Sequence, residues 1–429
     1  MATNAEKDHE KNPIKRFLKI IGPGFIAGAS DDDPSGIGTY AIAGASLGYA
    51  TLWTAIACIP MMIAVQFTCA KIAMVSGRGL AGVIRKYYPR WILYLAIAGL
   101  VIANTINAGA DIGAVAAAIN MFVPIPIPAM ILPISVIIVA FQILGSYRLI
   151  ERIFKWLTLA LLAYMATAFY AHPSIGEALS ASFIPRISFD AKSLATLTAI
   201  FGTSISPFLF FWQATQEVEE EKELGRKSIT AREGASKKSL RYAVTDVTIG
   251  MVFSCLVMYF IIFTTAATLF KAGKTDIKSA TDAAEALRPL AGNGARILLG
   301  LGLIGAGLLA IPILTGSIAD AVAEAMAWKT GLSEKLWTAG KFYAVIVIST
   351  LTAMQMNLLG INPISALFWA AVINGFVAPP LLVIIMLAAN QKKIMGNWVN
   401  GIVTNIIGWA TAVVMAAAAI ALVLTWGKA

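Results

Sequence analysis

The stretch DDDPSG at residues 31–36 decides the fold, because it places three carboxylates inside an apolar segment. Residues 17–30 (FLKIIGPGFIAGAS) and 37–63 (IGTYAIAGASLGYATLWTAIACIPMMI) flank it and carry no charge except Lys19. A charged side chain at the centre of a bilayer costs about 2.5–3.5 kcal/mol on insertion scales. The sequence therefore predicts that these carboxylates face a cavity, an ion or a partner.

The composition is that of an all-α integral membrane protein. The chain has 429 residues, of which 58% are hydrophobic and 13% charged, and its mean hydropathy is +0.77. Soluble domains average about 25% charged residues, and a helix needs about 17 or more apolar residues to cross the hydrocarbon core. The sequence predicts eleven transmembrane helices, at about 18–48, 51–74, 92–122, 127–146, 153–171, 194–217, 240–270, 294–327, 337–357, 364–389 and 400–426.

The net charge of +10 reflects topology rather than nucleic-acid binding. Most of the 33 lysines and arginines fall in alternate connections, beginning with the N-terminal tail. The positive-inside rule then predicts a multi-pass protein of the inner (plasma) membrane, with its N-terminus cytoplasmic and its C-terminus outside. The tail lacks the layout of a signal peptide, so we expect no cleavage there. The expected partners are a small ionic substrate and the lipid bilayer; the oligomeric state is left open, since one chain suffices.

A second interrupted span indicates an internal repeat. The sequence GTSISP at 202–207 lies five spans after DDDPSG, and both place a polar run before a proline. An interior proline removes a helical hydrogen bond, so each helix should unwind there. An odd number of spans between the breaks inverts the second half, which predicts a 5+5 inverted-repeat transporter with broken helices 1 and 6. Two unrelated proline kinks are the alternative interpretation.

One membrane domain is expected over residues 1–429. Its first repeat should cover about 17–171 and its second about 194–389, with an extra helix at about 400–426.

The residues at the two breaks offer only oxygen to a bound cation. Asp33, next to the proline, is the predicted central ligand, and backbone carbonyls near Ser30 and Thr203 and the hydroxyls of Ser204 and Ser206 are further candidates. Oxygen ligands suit hard cations such as Mg²⁺, Mn²⁺ or Ca²⁺. Two structural roles compete with this prediction, namely helix capping by Asp33 or Ser35 and hydrogen bonding of the hydroxyls to nearby helix carbonyls.

A polar stripe in span three supplies further candidates for the ion pathway. Asn104, Asn107 and Asp111 share one helix face, which lines a pathway or forms hydrogen bonds between helices. The same two interpretations apply to Asp246 in span seven and to other carboxylates in span eight. Asp31 and Asp32 are predicted to line a vestibule or cap a half-helix, and Asn374 and Phe208 complete the pathway candidates.

The motifs GPGFIAGAS followed by DDDP, and the G-x-x-x-S-P break of span six, resemble the NRAMP family of divalent-metal transporters. The resemblance covers all eleven spans, and it implies an inverted-repeat fold in which spans one to five are related to spans six to ten. The family motif of the first helix is Asp-Pro-Gly-Asn, and that of the sixth helix is Ala-x-x-Met-Pro-His.

This chain departs from both family motifs. The family aspartate falls on Asp33, but the asparagine falls on Gly36. In the sixth helix the alanine, whose carbonyl binds metal, falls on Thr203 and the methionine falls on Ser206. The histidine falls on Phe208, and of the acidic pair expected in span three, Asp111 is present while the second position is Ala114.

These departures predict a change of substrate. A thioether gains relatively more from Mn²⁺, Fe²⁺ or Cd²⁺ than from Mg²⁺ or Ca²⁺, so replacing it by Ser206 removes that filter. Gly36 and Ser206 are small, and the resulting roomier site suits a partly hydrated Mg²⁺. The missing histidine and acid predict weak or absent proton coupling. The pattern is similar to the NRAMP-related magnesium-transporter branch, with Mn²⁺ also carried and the metal acting as substrate, not cofactor.

Three alternatives remain open from the sequence. The first is a proton-coupled transporter of Mn²⁺ or Fe²⁺, and the second is a carrier of amino acids or other small solutes with the same fold, which three aspartates beside the break disfavour. The third is a membrane enzyme or sensor. The spans offer neither a nucleophile–base pair nor a phosphate loop, so we expect no enzymatic activity.

Overall fold

The computed structural model describes residues 22–144, 174–277, 280–284, 292–331, 334 and 336–425. The regular secondary structure of these residues is helical, and no strand occurs among them. The predicted fifth span, 153–171, lies outside the described residues. The α-helices, numbered in chain order, are α1 Pro23–Asp31, α2 Pro34–Leu47, α3 Leu52–Ser76, α4 Leu80–Tyr87, α5 Arg90–Asn120, α6 Ile127–Leu144, α7 Ile175–Phe183, α8 Ala191–Ser204, α9 Pro207–Glu223, α10 Ile229–Arg232, α11 Lys237–Thr265, α12 Ala280–Ala284, α13 Ala295–Met326, α14 Gly340–Leu358, α15 Pro363–Asn390, α16 Lys392–Met395 and α17 Ile402–Thr425.

Both predicted helix breaks are confirmed. The first span consists of α1 and α2, separated by Asp32 and Asp33. The sixth span consists of α8 and α9, separated by Ile205 and Ser206. In each case the proline is the first residue of the second half-helix, a position where its missing N–H costs no helical hydrogen bond.

Each of the other predicted spans within the described residues corresponds to one long helix, namely α3, α5, α6, α11, α13, α14, α15 and α17. By length and hydropathy alone, 8 helical stretches of the described chain qualify as candidate membrane spans. The sequence predicts eleven spans, so three are missing from this number. One is the fifth span, which lies outside the described residues, and the other two have separate reasons. The stretch Pro34–Ser76 joins α2 to α3 and is counted once. The helix α14 is long enough, but its polar residues lower its mean hydropathy and it is not among the 8.

The half-helix α1 is held tightly against α11. A Cβ atom added to Gly28 would lie 2.2 Å from the carbonyl oxygen of Gly250, so the two backbones touch. The Asp246 carboxylate on α11 also accepts hydrogen bonds from the backbone N–H groups of Gly22 (2.8 Å), Gly24 (2.7 Å) and Phe25 (3.2 Å). These groups would otherwise lack partners, because the first turn of a helix has unpaired N–H groups. Asp246 is thus a capping residue for α1.

The half-helix α8 is held in a similar way against α15. A Cβ atom added to Gly202 would lie 2.1 Å from the Ala371 carbonyl oxygen and 2.3 Å from the Gly375 nitrogen. Since α1 and α8 are the halves that precede the two breaks, glycine contacts fix the position of both breaks in the bundle. Elsewhere α13 packs along α5, and together these contacts place the breaks in the interior.

We expect Gly28→Ala to destabilise the protein, because the added methyl group has no space against α11. Overpacking of this kind costs about 1–3 kcal/mol. Thermal unfolding of the purified protein in detergent should show a lower midpoint for Gly28→Ala. The matched control is Gly176→Ala on α7, where an added Cβ meets no atom within 4 Å. Equal midpoints for the two variants would contradict the proposed backbone contact.

Candidate functional site

The two helix breaks lie side by side in the bundle. The hydroxyl oxygens of Ser35 and Thr203 are 3.4 Å apart, and those of Tyr40 and Ser204 are 2.9 Å apart. Both pairs join α2 to α8. The breaks therefore form one site, made of unwound backbone and hydroxyl groups from both repeats.

Asp33 is the N-cap of α2 and also a contact to α5. Its Oδ1 accepts a hydrogen bond from the Gly36 N–H at 2.6 Å, and its Oδ2 accepts one from the Asn107 side-chain amide at 2.8 Å. Only 1% of Asp33 is exposed. The capping role considered for Asp33 is therefore real. It leaves acceptor capacity for a cation, because a carboxylate offers about four lone-pair sites.

Asp31 and Asp32 face α11 rather than an open vestibule. The Ser254 hydroxyl donates to Asp31 Oδ2 at 2.6 Å and lies 3.3 Å from Asp32 Oδ1. The second oxygen of each carboxylate is buried without a hydrogen-bond partner. The vestibule position expected for this pair is therefore not present in this conformation, because α11 covers them.

The residues of the polar stripe on α5 have two different roles. Asn104 donates to the Leu314 carbonyl (3.3 Å) and to the Ser317 hydroxyl (2.8 Å), both on α13, so it joins two helices instead of lining a pathway. Asn107 holds Asp33, as described above. Asp111 interacts electrostatically with Asp33, and its buried carboxylate lies near the Ser35 backbone N–H without a well-formed hydrogen bond to either oxygen. Asn107 and Asp111 thus belong to the site.

At the second break, two predicted ligands bond to each other. The Ser206 hydroxyl donates to the Thr203 carbonyl at 3.0 Å, which is the local hydrogen bond considered as the structural alternative. The carbonyl oxygen keeps a second lone pair, and the hydroxyl oxygen can still accept. Phe208 lies buried in the first turn of α9.

The remaining predicted ligands are buried and closely packed. The Ser30 hydroxyl donates to the Ala27 carbonyl at 2.9 Å, so its proton is engaged while its oxygen and the Ser30 carbonyl keep lone pairs. A Cβ atom added to Gly36 would lie 3.0 Å from the Asp31 carbonyl oxygen and 3.4 Å from Thr203 Oγ1. The open space expected beside Gly36 is therefore filled in this conformation by the backbone of the first break.

Asn374 on α15 is buried near the α8 contact, and its Oδ1 lacks a hydrogen-bond partner. It is thus an acceptor without a donor, as expected of a residue that meets a cation or a water molecule.

Three residues that contact the site escaped the sequence analysis, namely Tyr40, Ser254 and Met258, and Ser35 entered it only as a capping candidate. Tyr40 and Ser254 bond directly to site residues, and the Ser204 hydroxyl lies 3.7 Å from the Met258 sulfur. A single hydroxyl or thioether within an apolar span gives no pattern by itself. A search for polar residues within two helix turns of the breaks could have found Tyr40 but not the two residues on α11.

The chemistry of this site favours a cation bound by few carboxylates. Among the residues that the structure describes, no three His, Cys, Asp or Glu side chains converge as a metal cage. Backbone carbonyls and hydroxyls would therefore supply most ligands. The C-terminal ends of α1 and α8 meet at the breaks, and helix C-termini carry partial negative charge that attracts cations.

Two broken helices that meet around a buried carboxylate define an inverted-repeat membrane transporter. The manganese transporter of Eremococcus coleocola, solved with an aromatic bis-isothiourea compound, has this fold. It matches 97% of this chain and 88% of its own, with a TM-score of 0.78 and 17% sequence identity. Mhp1, a nucleobase-cation-symport-1 family transporter in a closed conformation with bromovinylhydantoin bound, matches 95% of this chain and 94% of its own, with a TM-score of 0.57 and 13% identity.

Residues 24–425 match the family model described as Nramp, natural resistance-associated macrophage protein-like. The chain therefore belongs to the Nramp family of divalent-metal transporters.

Replacing Asn107 by alanine should weaken metal binding, because Asp33 would lose the donor that orients it. Loss of such an outer-shell partner typically lowers metal affinity about tenfold or more. Titration calorimetry with Mn²⁺ should show this loss for Asn107→Ala but not for Asn104→Ala, which removes contacts to α13 only. Equal affinities of the two variants would refute the role of Asn107.

Proposed function

We propose that this chain is a secondary transporter of divalent cations, with Mg²⁺ as preferred cargo and Mn²⁺ also carried, and with weak or no coupling to protons. The observation that carries the proposal is the meeting of the two helix breaks around Asp33. The groups nearest to this carboxylate are the Asn107 amide, the backbone N–H groups of Ser35 and Gly36, and the Ser35 hydroxyl. These groups donate hydrogen bonds to the carboxylate and hold it in place. The carboxylate oxygens, together with the Thr203 carbonyl and the hydroxyl oxygens at the breaks, are the kind of ligands that a hard cation prefers.

The absence of a thioether at Ser206 supports Mg²⁺ over transition metals. Mg²⁺ gives up its water reluctantly and is commonly bound by one or two carboxylates together with several waters. Asp33 and the carbonyls near Ser30 and Thr203 would replace part of that water shell. The tight packing at Gly36 means that the two breaks must move apart slightly before a hydrated ion enters.

Access to the site requires movement at both ends of the bundle. A cavity of about 380 Å³, lined in part by Ser46, Lys192 and Asp276, lies near the start of α8. Between it and the breaks, Leu367 packs against Gly38, where an added Cβ would lie 3.1 Å from Leu367 Cδ1. We infer that Leu367 closes the outer route and that rocking of the broken helices opens each side in turn.

The proposed topology follows the distribution of basic residues. Arg78, Arg85, Lys86, Lys222 and Arg232 cluster at one end of the bundle, called here the basic end. The positive-inside rule assigns this end to the cytoplasm and the Leu367 side to the exterior of the plasma membrane.

Weak proton coupling is expected because two candidate relay groups are replaced by apolar residues. Phe208 and Ala114 stand where the family pattern has a histidine and a second acid. Neither side chain can carry a proton, and both are buried.

Replacing Asp33 by alanine should abolish Mg²⁺ uptake into proteoliposomes, since the ion loses its central carboxylate. We expect a loss of about tenfold or more. The matched control is Asp190→Ala, which removes an exposed carboxylate that caps α8. Uptake by Asp33→Ala at the wild-type rate would refute the site.

In the same vesicles a pH-sensitive dye tests the coupling. Lumen acidification that tracks metal entry in the wild-type protein would overturn the uncoupled mechanism.

A second candidate function, transport of Mn²⁺ in preference to Mg²⁺, is favoured by Met258. Its sulfur lies 3.7 Å from the Ser204 hydroxyl at the second break, and the residue is buried. This position brings a thioether from α11 to the second break, where the sixth helix itself has none. The manganese transporter with the same fold is consistent with this candidate.

Two substitutions separate the candidates by the ratio of Mn²⁺ to Mg²⁺ uptake. Ser206→Met should raise this ratio, because it adds a soft ligand at the break. Met258→Leu keeps a similar volume and should leave the ratio unchanged if Mg²⁺ is the cargo. A clear fall in the ratio for Met258→Leu would instead favour the manganese candidate.

A further inference from the structure

A cavity of about 650 Å³ lies at the basic end, and its lining includes no residue of either helix break. Its walls come from the end of α3, from α4, from the end of α9, from α10 and from the segment that follows α13. This volume falls within the range of about 300–1,000 Å³ that is common for pockets of small organic ligands.

The cavity lining is rich in positive charge, which is unexpected on the route of a cation. Six lysines and arginines line it together with three glutamates: Arg78, Arg85, Lys86, Lys222, Arg232, Lys329, Glu219, Glu324 and Glu334. Convergence of basic groups on a concave wall concentrates positive potential and attracts anions. The positive-inside rule accounts for basic residues at this end but not for their convergence around a cavity.

The glutamates of the lining are already engaged. The two carboxylate oxygens of Glu324 accept the N–H groups of Gly79 and Gly82, each at 2.9 Å. Glu219 accepts a hydrogen bond from Lys222, and Glu334 accepts one from Thr338 at 3.2 Å. These hydrogen bonds leave the carboxylates charged, so the three glutamates offset three of the six basic groups and the lining keeps three more positive than negative side chains.

Two arginines of the lining, Arg78 and Arg232, form no direct ion pair with a carboxylate among the residues that the structure describes. The Nε atom of Arg78 is buried without a hydrogen-bond partner. The Arg232 guanidinium is fixed by the carbonyls of Gly77 (3.3 Å), Arg226 (3.2 Å) and Lys227 (2.6 Å), none of which neutralises it. Burial lowers the pKa of Arg232 and the Arg78 charge lowers it further, whereas the carboxylates of Glu219, Glu221 and Glu324 oppose the shift. Arginine stays charged at neutral pH, so the pair is an anchor for an anion.

We propose that this cavity is a binding site for a phosphate-bearing anion, with Arg78, Arg232 and Lys329 as its main contacts. Arginine clusters recognise phosphate oxygens through paired hydrogen bonds. The volume exceeds that of a single phosphate and suits an oligophosphate or a phosphate ester with an organic group, which Trp328 on the wall could contact. The phosphate could belong to a soluble compound or to a lipid headgroup.

A bound anion would hold the walls of the cavity together. In its absence they are joined by the Glu324 contacts to α4 and by the Lys222 side chain, which donates to the Thr330 carbonyl at 3.4 Å. Bridging these elements would keep the basic end closed and slow transport, a consequence that rests on the proposed function. Binding itself does not depend on that function, so the two can fail separately.

The test is a titration of the purified full-length protein with inorganic tripolyphosphate, in metal-free buffer with a chelator. We expect saturable binding, with a rise in the thermal unfolding midpoint because the ligand binds the folded state. The double variant Arg78→Gln/Lys329→Gln should bind about tenfold more weakly or worse. The control is Lys237→Gln/Lys393→Gln, which removes the same charge from exposed positions outside the cavity.

Several outcomes would overturn the proposal: no binding of tripolyphosphate, equal loss of affinity in both double variants, or equal affinity for citrate, which carries charge but no phosphate. A comparison of nanodiscs identifies the source of the ligand. Weaker tripolyphosphate binding in phosphatidylglycerol than in phosphatidylcholine nanodiscs would show that a lipid headgroup occupies the site. Equal binding in the two would assign the site to a soluble phosphate compound.

Discussion

The structure depends on carboxylates that are kept in the interior of an apolar bundle by hydrogen bonds from their neighbours. Asp33 satisfies this constraint twice, through the N–H of Gly36 at the start of α2 and through the amide of Asn107 on α5. Without such partners a buried charge would be costly. The break in the first helix supplies the N–H group, so the unwound backbone and the carboxylate stabilise each other and remain available to a cation.

The same constraint explains how the surrounding helices are arranged. Ser254 donates a hydrogen bond to Asp31, and Asp246 accepts hydrogen bonds from the first turn of α1. The helix α11 therefore holds both ends of that half-helix. The glycine contacts of α1 with α11 and of α8 with α15 bring the backbones close enough for these bonds to form. The site is thus closed and pre-arranged in this conformation. Movement of the broken helices would trade some of these contacts for contacts with the ion.

The two ends of the bundle differ in charge, and this difference links the transport site to the cavity at the basic end. A cation released there meets Arg78 and Arg232, which repel it from the wall and favour its departure into solution. An anion in the same cavity would bind the walls that must separate for release. The same group of basic residues thus supports both the proposed topology and the proposed anion site.

The amino-acid sequence by itself determined the helical spans, the two breaks, the oxygen character of the site and the family, because hydrophobic length, proline position and side-chain chemistry are local properties. Only the tertiary structure decided which polar residues meet. Tyr40 reaches Ser204 across 164 positions, and Ser254 reaches Asp31 across 223. Likewise Asn104 and Asn107 are alike in sequence, but the first faces α13 and the second faces Asp33. Helix rotation and packing choose such partners, and no local pattern records them.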